Sequence, residues 1–483
     1  MKLQLHNDLT GCKEPFEPIV PGEISFYVCG PTVYDFFHIG NARPFIVFDV
    51  LRRYFESRGL LVRYVQNFTD IDDKMIQRAN HSGVTVSQLA DRFISEYYHD
   101  ADSLMIKRAT LNPRATYEIP AIVAMIEKLV KKGHAYETGG NVYFEVSTFE
   151  RYGRLSRQNL EDLNSGARVE IDERKRRPLD FALWKAQKPG EPAWDSPWGM
   201  GRPGWHIECS AMAERHLGDT IDIHGGGSDL VFPHHENEIA QSEAAHDKEF
   251  ARFWIHNGYV MADREKMSKS LDNFFTVRDV RAKYSASVIR FFMLSAHYRS
   301  PINFSVETLD QAAHACERLR NGWAEISFAL ETRPCDVVPC EKNDELRKAI
   351  DDATTLFHEC MEDDFNTAGA IGAVFDLIRA TNISLARQGG IDFDAIEEAS
   401  CFLRMADKVM GILGGQGGTK ISESGSSDDE AAPGNAEIES LIAARDEARK
   451  GKNFARSDEI RDALGERGVI LEDTPQGTRW KRA

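Results

Sequence analysis

The chain has 483 residues, 42% of them hydrophobic, with a formal net charge of −17 and a mean hydropathy of −0.42. That length calls for about two to four domains, and the acidic balance argues against sequence-independent binding to DNA or anionic membrane, although a local basic patch can still meet nucleic acid. No apolar run approaches the roughly 20 residues of a membrane span, the N-terminus lacks the apolar core of a secretory signal, and eight irregularly spaced cysteines suit a reducing cytoplasm better than a disulfide framework.

The first strong pattern is Phe26-Tyr27-Val28-Cys29, an apolar run that reads as a buried strand. Gly30-Pro31 breaks it, and from Asn41 the spacing of Phe45, Phe48, Val50, Leu51, Tyr54 and Phe55 predicts a helix over 41–57. A second buried strand, 60–67, leads into the acidic segment 68–74. Helical patterns follow at 73–80, 86–105 and 117–132, stopped by Gly133, and a hairpin is expected around Gly139-Gly140. From about residue 150 to 202 periodicity fades into Pro, Gly, Trp and charge, the look of an insertion between two halves of one sheet domain.

Periodicity returns with a helix over 205–216, a strand entering the glycine loop 224–228, and a helix over 232–245 with Pro233 in its first turn. A strand-like stretch, 253–261, runs into the lysine-bearing loop 263–270. Helical patterns then fill 276–284, 287–296, 306–330, 344–361, 367–387 and 393–413 and read as a bundle. Gly, Ser and acidic residues at 414–435 read as a flexible linker. A helix pair and a small basic β element complete the chain.

Open α/β sheets bind ligands at the carboxyl ends of their strands, and two candidate sites collect there. Cys29 ends the first strand, Cys209 lies on the helix that restarts the sheet, and His234 and Glu238 stand four apart on one predicted helix face. Two thiolates, an imidazole and a carboxylate make a four-ligand zinc set. His235, with Ile239 at the same offset, is the poorer candidate. Isolated cysteines are usually small buried hydrophobes, so this case rests on all three segments sharing one sheet edge. The second site is for phosphate. His38 and Gly40 precede a helix whose N–H groups attract anions, and Lys266 and Lys269 sit on a loop able to close over a triphosphate. The loop with His224 and Gly226 is expected to carry the base or ribose.

These residues resemble a known family. His38-Ile39-Gly40-Asn41 after a first strand, with Lys266-Met267-Ser268-Lys269-Ser270 far downstream, is similar to the paired signature of class I aminoacyl-tRNA synthetases. The stretches 27–34, 69–74, 204–210 and 222–238, with the C-terminal 475–480, narrow the resemblance to the cysteinyl-tRNA synthetase family. It runs along essentially the whole chain. One departure is Asn41, where the class signature usually has a second histidine. An amide can donate a hydrogen bond to phosphate but cannot become cationic.

The resemblance implies an α/β Rossmann-type parallel-sheet catalytic domain with an insertion, then an all-α bundle and a small C-terminal α+β domain. The expected boundaries are 1–115 and 203–250 for the two catalytic halves, 116–202 for the inserted connective domain, and 251–305 for a stem-contact region. The bundle is expected at 306–413, the linker at 414–435 and an anticodon-binding domain at 436–483. It implies one zinc per chain on Cys29, Cys209, His234 and Glu238, ATP with magnesium, L-cysteine, and tRNA(Cys) as partner of a monomeric cytoplasmic enzyme. His38, Asn41, Lys266 and above all Lys269 would stabilise phosphate. Thr69, Trp205 and Asp229 lie at loop ends suited to the amino-acid pocket. The rival readings are a ligase passing cysteine to a small amino sugar, which needs no anticodon domain, and a non-catalytic zinc and RNA-binding relative, against which the intact lysine and histidine motifs argue.

Overall fold

The computed structural model describes residues 2–158, 174–262, 265–266, 275–333, 342–387, 390–414, 435–451, 453–474 and 477–482. Lys269 and most of the expected linker lie outside them.

A hairpin, β1 (Gln4–Asn7) and β2 (Cys12–Pro15), precedes the first buried strand β3 (Glu23–Val28). Helix α1 (Ile39–Ser57) follows, then β4 (Leu61–Gln66), α2 (Asp73–Ser82) and α3 (Val86–Ser103). The inserted region holds α4 (Ile119–Lys131) and the antiparallel strands β5 (Ala135–Thr138), β6 (Asn141–Phe144), β7 (Phe181–Ala186) and β8 (Gly201–Pro203). Gly139 and Gly140, both at positive φ, turn β5 into β6 where the hairpin was expected. Asp73 on α2 pairs with Lys185 of β7 (2.7 Å) and with Arg202 of β8, which joins the insertion to the catalytic half.

The chain returns through α5 (Trp205–Leu217), β9 (Ile221–Gly227), α6 (Glu236–His246) and β10 (Ala251–Asn257). The central sheet is parallel, in the order β10-β9-β3-β4. The path from β3 leads out to β4 on one side, whereas β9 and β10 fill the other, so the order reverses between β3 and β9. A crevice opens at such a reversal, beyond the carboxyl ends of the strands. Two expectations are corrected here. The catalytic sheet does not stop at residue 250, because β10 is one of its strands. The stretch 253–261 is not one strand: the chain bends at Gly258, and β11 (Val260–Ala262) joins a separate small sheet with β12 (Glu265–Lys266) and β13 (Ile302–Phe304).

The helical part comprises α7 (Val277–Arg281), α8 (Ala286–Leu294), α9 (Val306–Glu331), α10 (Asp344–Glu362), α11 (Thr367–Leu385) and α12 (Phe393–Met410). Beyond it stand α13 (Asn435–Lys450), α14 (Phe454–Glu466) and the hairpin β14 (Val469–Thr474) and β15 (Gly477–Arg482). Helix α1 is buried on most of its surface because it is enclosed, touching β4 and β9 on one side and α8 and α12 on the other. A buried ion pair fastens it there: Arg290 Nη2 lies 2.8 Å from Asp49 Oδ2, while Arg290 Nε donates to the Met410 carbonyl at 2.7 Å. Removing one partner of such a pair costs about 3–5 kcal/mol, because the other charge stays buried alone. No helix among the described residues is long and apolar enough to cross a membrane.

Candidate active site

A cavity of about 560 Å³ occupies the crevice between β3 and β9. Its walls are the loop and first turn after β3, the 227–230 segment after β9, and residues 257–260 after β10. His38, Gly40, Asn41, Trp205 and Asp229 line it, and Cys29 closes its floor.

The phosphate end is the start of α1. His38 is the N-cap, and its Nδ1 accepts the Asn41 N–H at 3.3 Å, holding the imidazole over the first turn. The chain beyond the lysine segment is tied to this same point: the Ile39 N–H donates to the Phe275 carbonyl at 2.9 Å, and His38 bridges to Thr276. The other flank, β12, contains Lys266 and pairs with β11. Both ends of the segment carrying Lys269 are therefore anchored beside the pocket mouth.

Of the four expected donors Cys29 alone lines the cavity; Cys209, His234 and Glu238 gather behind it, beneath the floor, each of the four offering a ligand atom within 4.8 Å of the others, and all four are buried. Cys29 Sγ stands 3.7 Å from Cys209 Sγ and 3.3 Å from Glu238 Oε1, and His234 Nε2 stands 3.0 Å from the same oxygen. Two sulfurs on a tetrahedral zinc, each about 2.3 Å from the metal, lie about 3.8 Å apart, so the donor set and its spacing fit that ion. The electrostatics agree. Burial and the neighbouring Cys209 push the Cys29 thiol up, while the hydrogen bond from Cys29 brings Cys209 down to about 7. Burial opposes charge on both His234 and Glu238, yet each holds the other ionised, with His224 also lowering the carboxyl and His234 raised to about 10.

Around these four lie groups that linear reading missed. His224, expected near the base or ribose, is absent from the cavity wall; it is buried, and its Nε2–H donates to Glu238 Oε2 at 2.9 Å. Its partner is thus a candidate metal ligand. Gly226 is also out of the wall: a Cβ there would stand 2.6 Å from His235 Cε1, so glycine serves the close approach of that ring. The glycine that this loop gives to the wall is Gly227. His235 belongs to the cluster after all, with Nε2 3.3 Å from Cys29 Sγ, and completes a second donor group with Cys29, His224 and Glu238. Its Nδ1 meets His256 Nε2 at 2.7 Å, and His256 Nδ1 meets Asp8 Oδ2 at 2.7 Å. A carboxylate can only accept, so His256 donates from Nδ1 to Asp8, and burial pushes the His235 imidazole well below its ordinary pKa.

Thr69 is likewise moved. Its hydroxyl donates to Glu208 Oε2 at 3.1 Å inside the protein, away from the cavity wall. Trp205 does border the cavity and stacks on His234, ring centroids 4.2 Å apart. The helix expected over 232–245 begins only at Glu236, because Phe232 is extended (φ −137, ψ 133) and interrupts the turn that bears His234.

Comparison with known proteins gives three family matches. The family described as the tRNA synthetases class I (C) catalytic domain matches residues 15–314, the DALR domain matches 356–414, and the cysteinyl-tRNA ligase anticodon binding domain matches 434–480. Among solved structures, a Mycobacterium tuberculosis methionyl-tRNA synthetase in complex with methionyl-adenylate is similar with TM-score 0.61 and 15% identity, over 80% of this chain and 92% of that one. The Agrobacterium radiobacter K84 agnB2 LeuRS-tRNA-LeuAMS ternary complex is similar with TM-score 0.62 and 11% identity, over 82% of this chain and 85% of that one. At such identity the likeness is one of fold.

Proposed function

The chain belongs to the class I (C) tRNA synthetase family, an aminoacyl-tRNA ligase family that works with ATP and magnesium, and on that premise we propose that it is a cysteine–tRNA ligase selecting its amino acid through zinc. The observation that carries this reading is that Cys29, which lines the cavity whose mouth is the N-terminus of α1, also belongs to a buried cluster of two thiols, an imidazole and a carboxylate gathered directly behind it. The match of 434–480 to the anticodon-binding family supports tRNA(Cys) as acceptor over a small amino sugar.

The reaction joins cysteine to tRNA in two steps. The cysteine carboxylate attacks the α-phosphorus of ATP and pyrophosphate leaves; the terminal ribose hydroxyl of the tRNA then displaces AMP. A carboxylate is already a nucleophile, so the first step asks the chain for positioning and charge stabilisation. His38 and Asn41 hold phosphate from the α1 side, and Lys266 and Lys269 approach from the other. Cys29, Cys209, His234 and Glu238 would hold the zinc, which when bound offers a soft acceptor that takes a thiolate far more readily than a serine hydroxyl. Trp205 and Asp229 border the space for the amino acid. An apolar pocket distinguishes single-methylene differences by only about 10–200-fold, so a sulfur-selective floor removes the need for a separate editing domain. The bundle 306–413, the linker 414–435 and the tail 436–483 are assigned to tRNA, with the enzyme acting as a monomer in the cytoplasm.

Exchange of labelled pyrophosphate into ATP tests the reading. Exchange is expected with cysteine and not with serine, followed by charging of tRNA(Cys). Equal exchange with serine would remove the sulfur-selective floor from the account, and exchange without charging would favour the amino-sugar acceptor.

A further inference from the structure

Two residues beyond Asn41, Arg43 is buried completely. Its Nη1 donates to the carbonyls of Gly258 (2.8 Å) and Tyr259 (3.0 Å), and Nη2 to that of His297 (3.3 Å). Its Nε has no partner, and burial alone accounts for its lowered pKa of about 10, so it remains a cation at neutral pH. For stability alone this is a poor choice of residue. Burying a cation without a counter-ion costs several kcal/mol, and the positive end of a helix dipole disfavours one so near the N-terminus. The reason for an arginine must lie in the three carbonyls that it holds.

Gly258 and Tyr259 are the chain just past β10, and with Asn257 and Val260 they form the cavity wall described above. The bend there is tight: a Cβ at Gly258 would stand 2.6 Å from the Arg299 carbonyl oxygen and 2.7 Å from that of Ser300. The Gly258 N–H donates to the Tyr298 carbonyl at 2.9 Å. Asp364, between α10 and α11, grips this turn from behind, accepting from the Tyr298 hydroxyl at 2.7 Å and lying 2.8 Å from Arg299 Nη2. The wall is therefore held from the bundle on one side and by Arg43 on the other, and Arg43 belongs to the helix that presents His38 and Asn41.

We propose that Arg43 is a positioning residue for the nucleotide: its guanidinium fixes the spacing between the N-terminus of α1 and the 257–260 wall, and so the width of the ATP cleft. This rests on reading the cavity as an ATP pocket. A planar fork can reach several carbonyls at once in a set plane, whereas an ammonium is a single point charge on a flexible stem. Loss of the fork would loosen the contacts of ATP with both faces. The thiol floor is held by other residues and would keep its grip on cysteine.

Pyrophosphate exchange by the full chain and by Arg43→Lys and Arg43→Met is the test, with KM measured separately for ATP and cysteine and active sites counted from the adenylate burst. Arg43→Lys is expected to raise the ATP KM on the order of tenfold or more, with the cysteine KM moving less than about twofold and the active fraction unchanged. It keeps the charge and most of the aliphatic stem, so it carries the test if Arg43→Met does not fold. An unmoved ATP KM in Arg43→Lys would overturn the proposal alone, as would an equal rise in both KM values, which signals general loosening. Absence of exchange by the unmodified protein with any amino acid would overturn the ATP reading and this proposal together.

Discussion

The two ends of the cavity both begin at the connection from β3 to α1, yet they are built differently. At the floor, donors from the end of β3, from α5, from the turn before α6 and from α6 itself meet in a buried cluster, and Glu238 and His235 are each held by a further buried ring, His224 and His256. At the mouth, the groups are a helix N-terminus, an exposed asparagine and the anchored flanks of a lysine segment. A small thiol offers few atoms to recognise, so its selection needs donors fixed before it arrives. A triphosphate brings its own charge and magnesium, and donors can close on it afterwards.

The comparison breaks first at the floor. Cys209→Ala removes one of the two sulfurs of the expected donor set, and both zinc content and cysteine-dependent exchange should fall by more than the roughly 10–100-fold that losing an outer partner costs. Metal analysis beside exchange kinetics checks this; full zinc occupancy with an unmoved cysteine KM would put the selecting site elsewhere. At the mouth, His38→Ala should lower kcat of exchange by about 10²–10³, the cost of one donor aimed at developing charge, with zinc retained. Lost capping of α1 adds about 0.5–2 kcal/mol of destabilisation, to be read by urea denaturation.

His224→Ala sharpens the contrast, because it tests the reassignment of that residue from nucleotide to floor. Glu238 loses its buried donor, and zinc affinity should fall about 10–100-fold, with excess zinc restoring exchange. The ATP KM should not move. A raised ATP KM with normal zinc content would return His224 to the nucleotide.

Much of this was legible in the sequence for physical reasons that also mark where reading failed. The run into Cys29 and the helical spacing after it announced β3 and α1, and the three segments bearing the four floor donors share one sheet edge, as expected. His224 misled because β9 is buried along its whole length; where both faces of a strand are covered, alternation no longer says which side is which. His235 was set aside because Ile239 stands at its i+4 position, but Glu238 stands at i+3, and residues three apart on a helix share a face as well. Asp8 and His256 are 248 positions apart, and nothing local to either announces the pair. The β1–β2 hairpin is too short for its pattern to stand out.

Asn41 carries the smallest expected effect and tests the mouth most finely. It lies in the first turn of α1, lines the cavity and is exposed. Its amide can donate to phosphate without charge. In N41H the introduced imidazole sits where the helix N-terminus disfavours a cation, so at about pH 8 it is neutral and donates much as the amide does; the exchange rate should change by less than about threefold. Toward about pH 6 the imidazole protonates, helped by bound phosphate, and charge-assisted hydrogen bonds are about twice as strong as neutral ones. The ratio of N41H to unmodified exchange should therefore rise as pH falls. N41A has no donor at any pH, so its ratio should be lower and flat. A flat ratio for N41H would mean that the side chain at this position does not meet phosphate, and the anion-binding power of the mouth would then rest on His38, the backbone of α1 and the lysines.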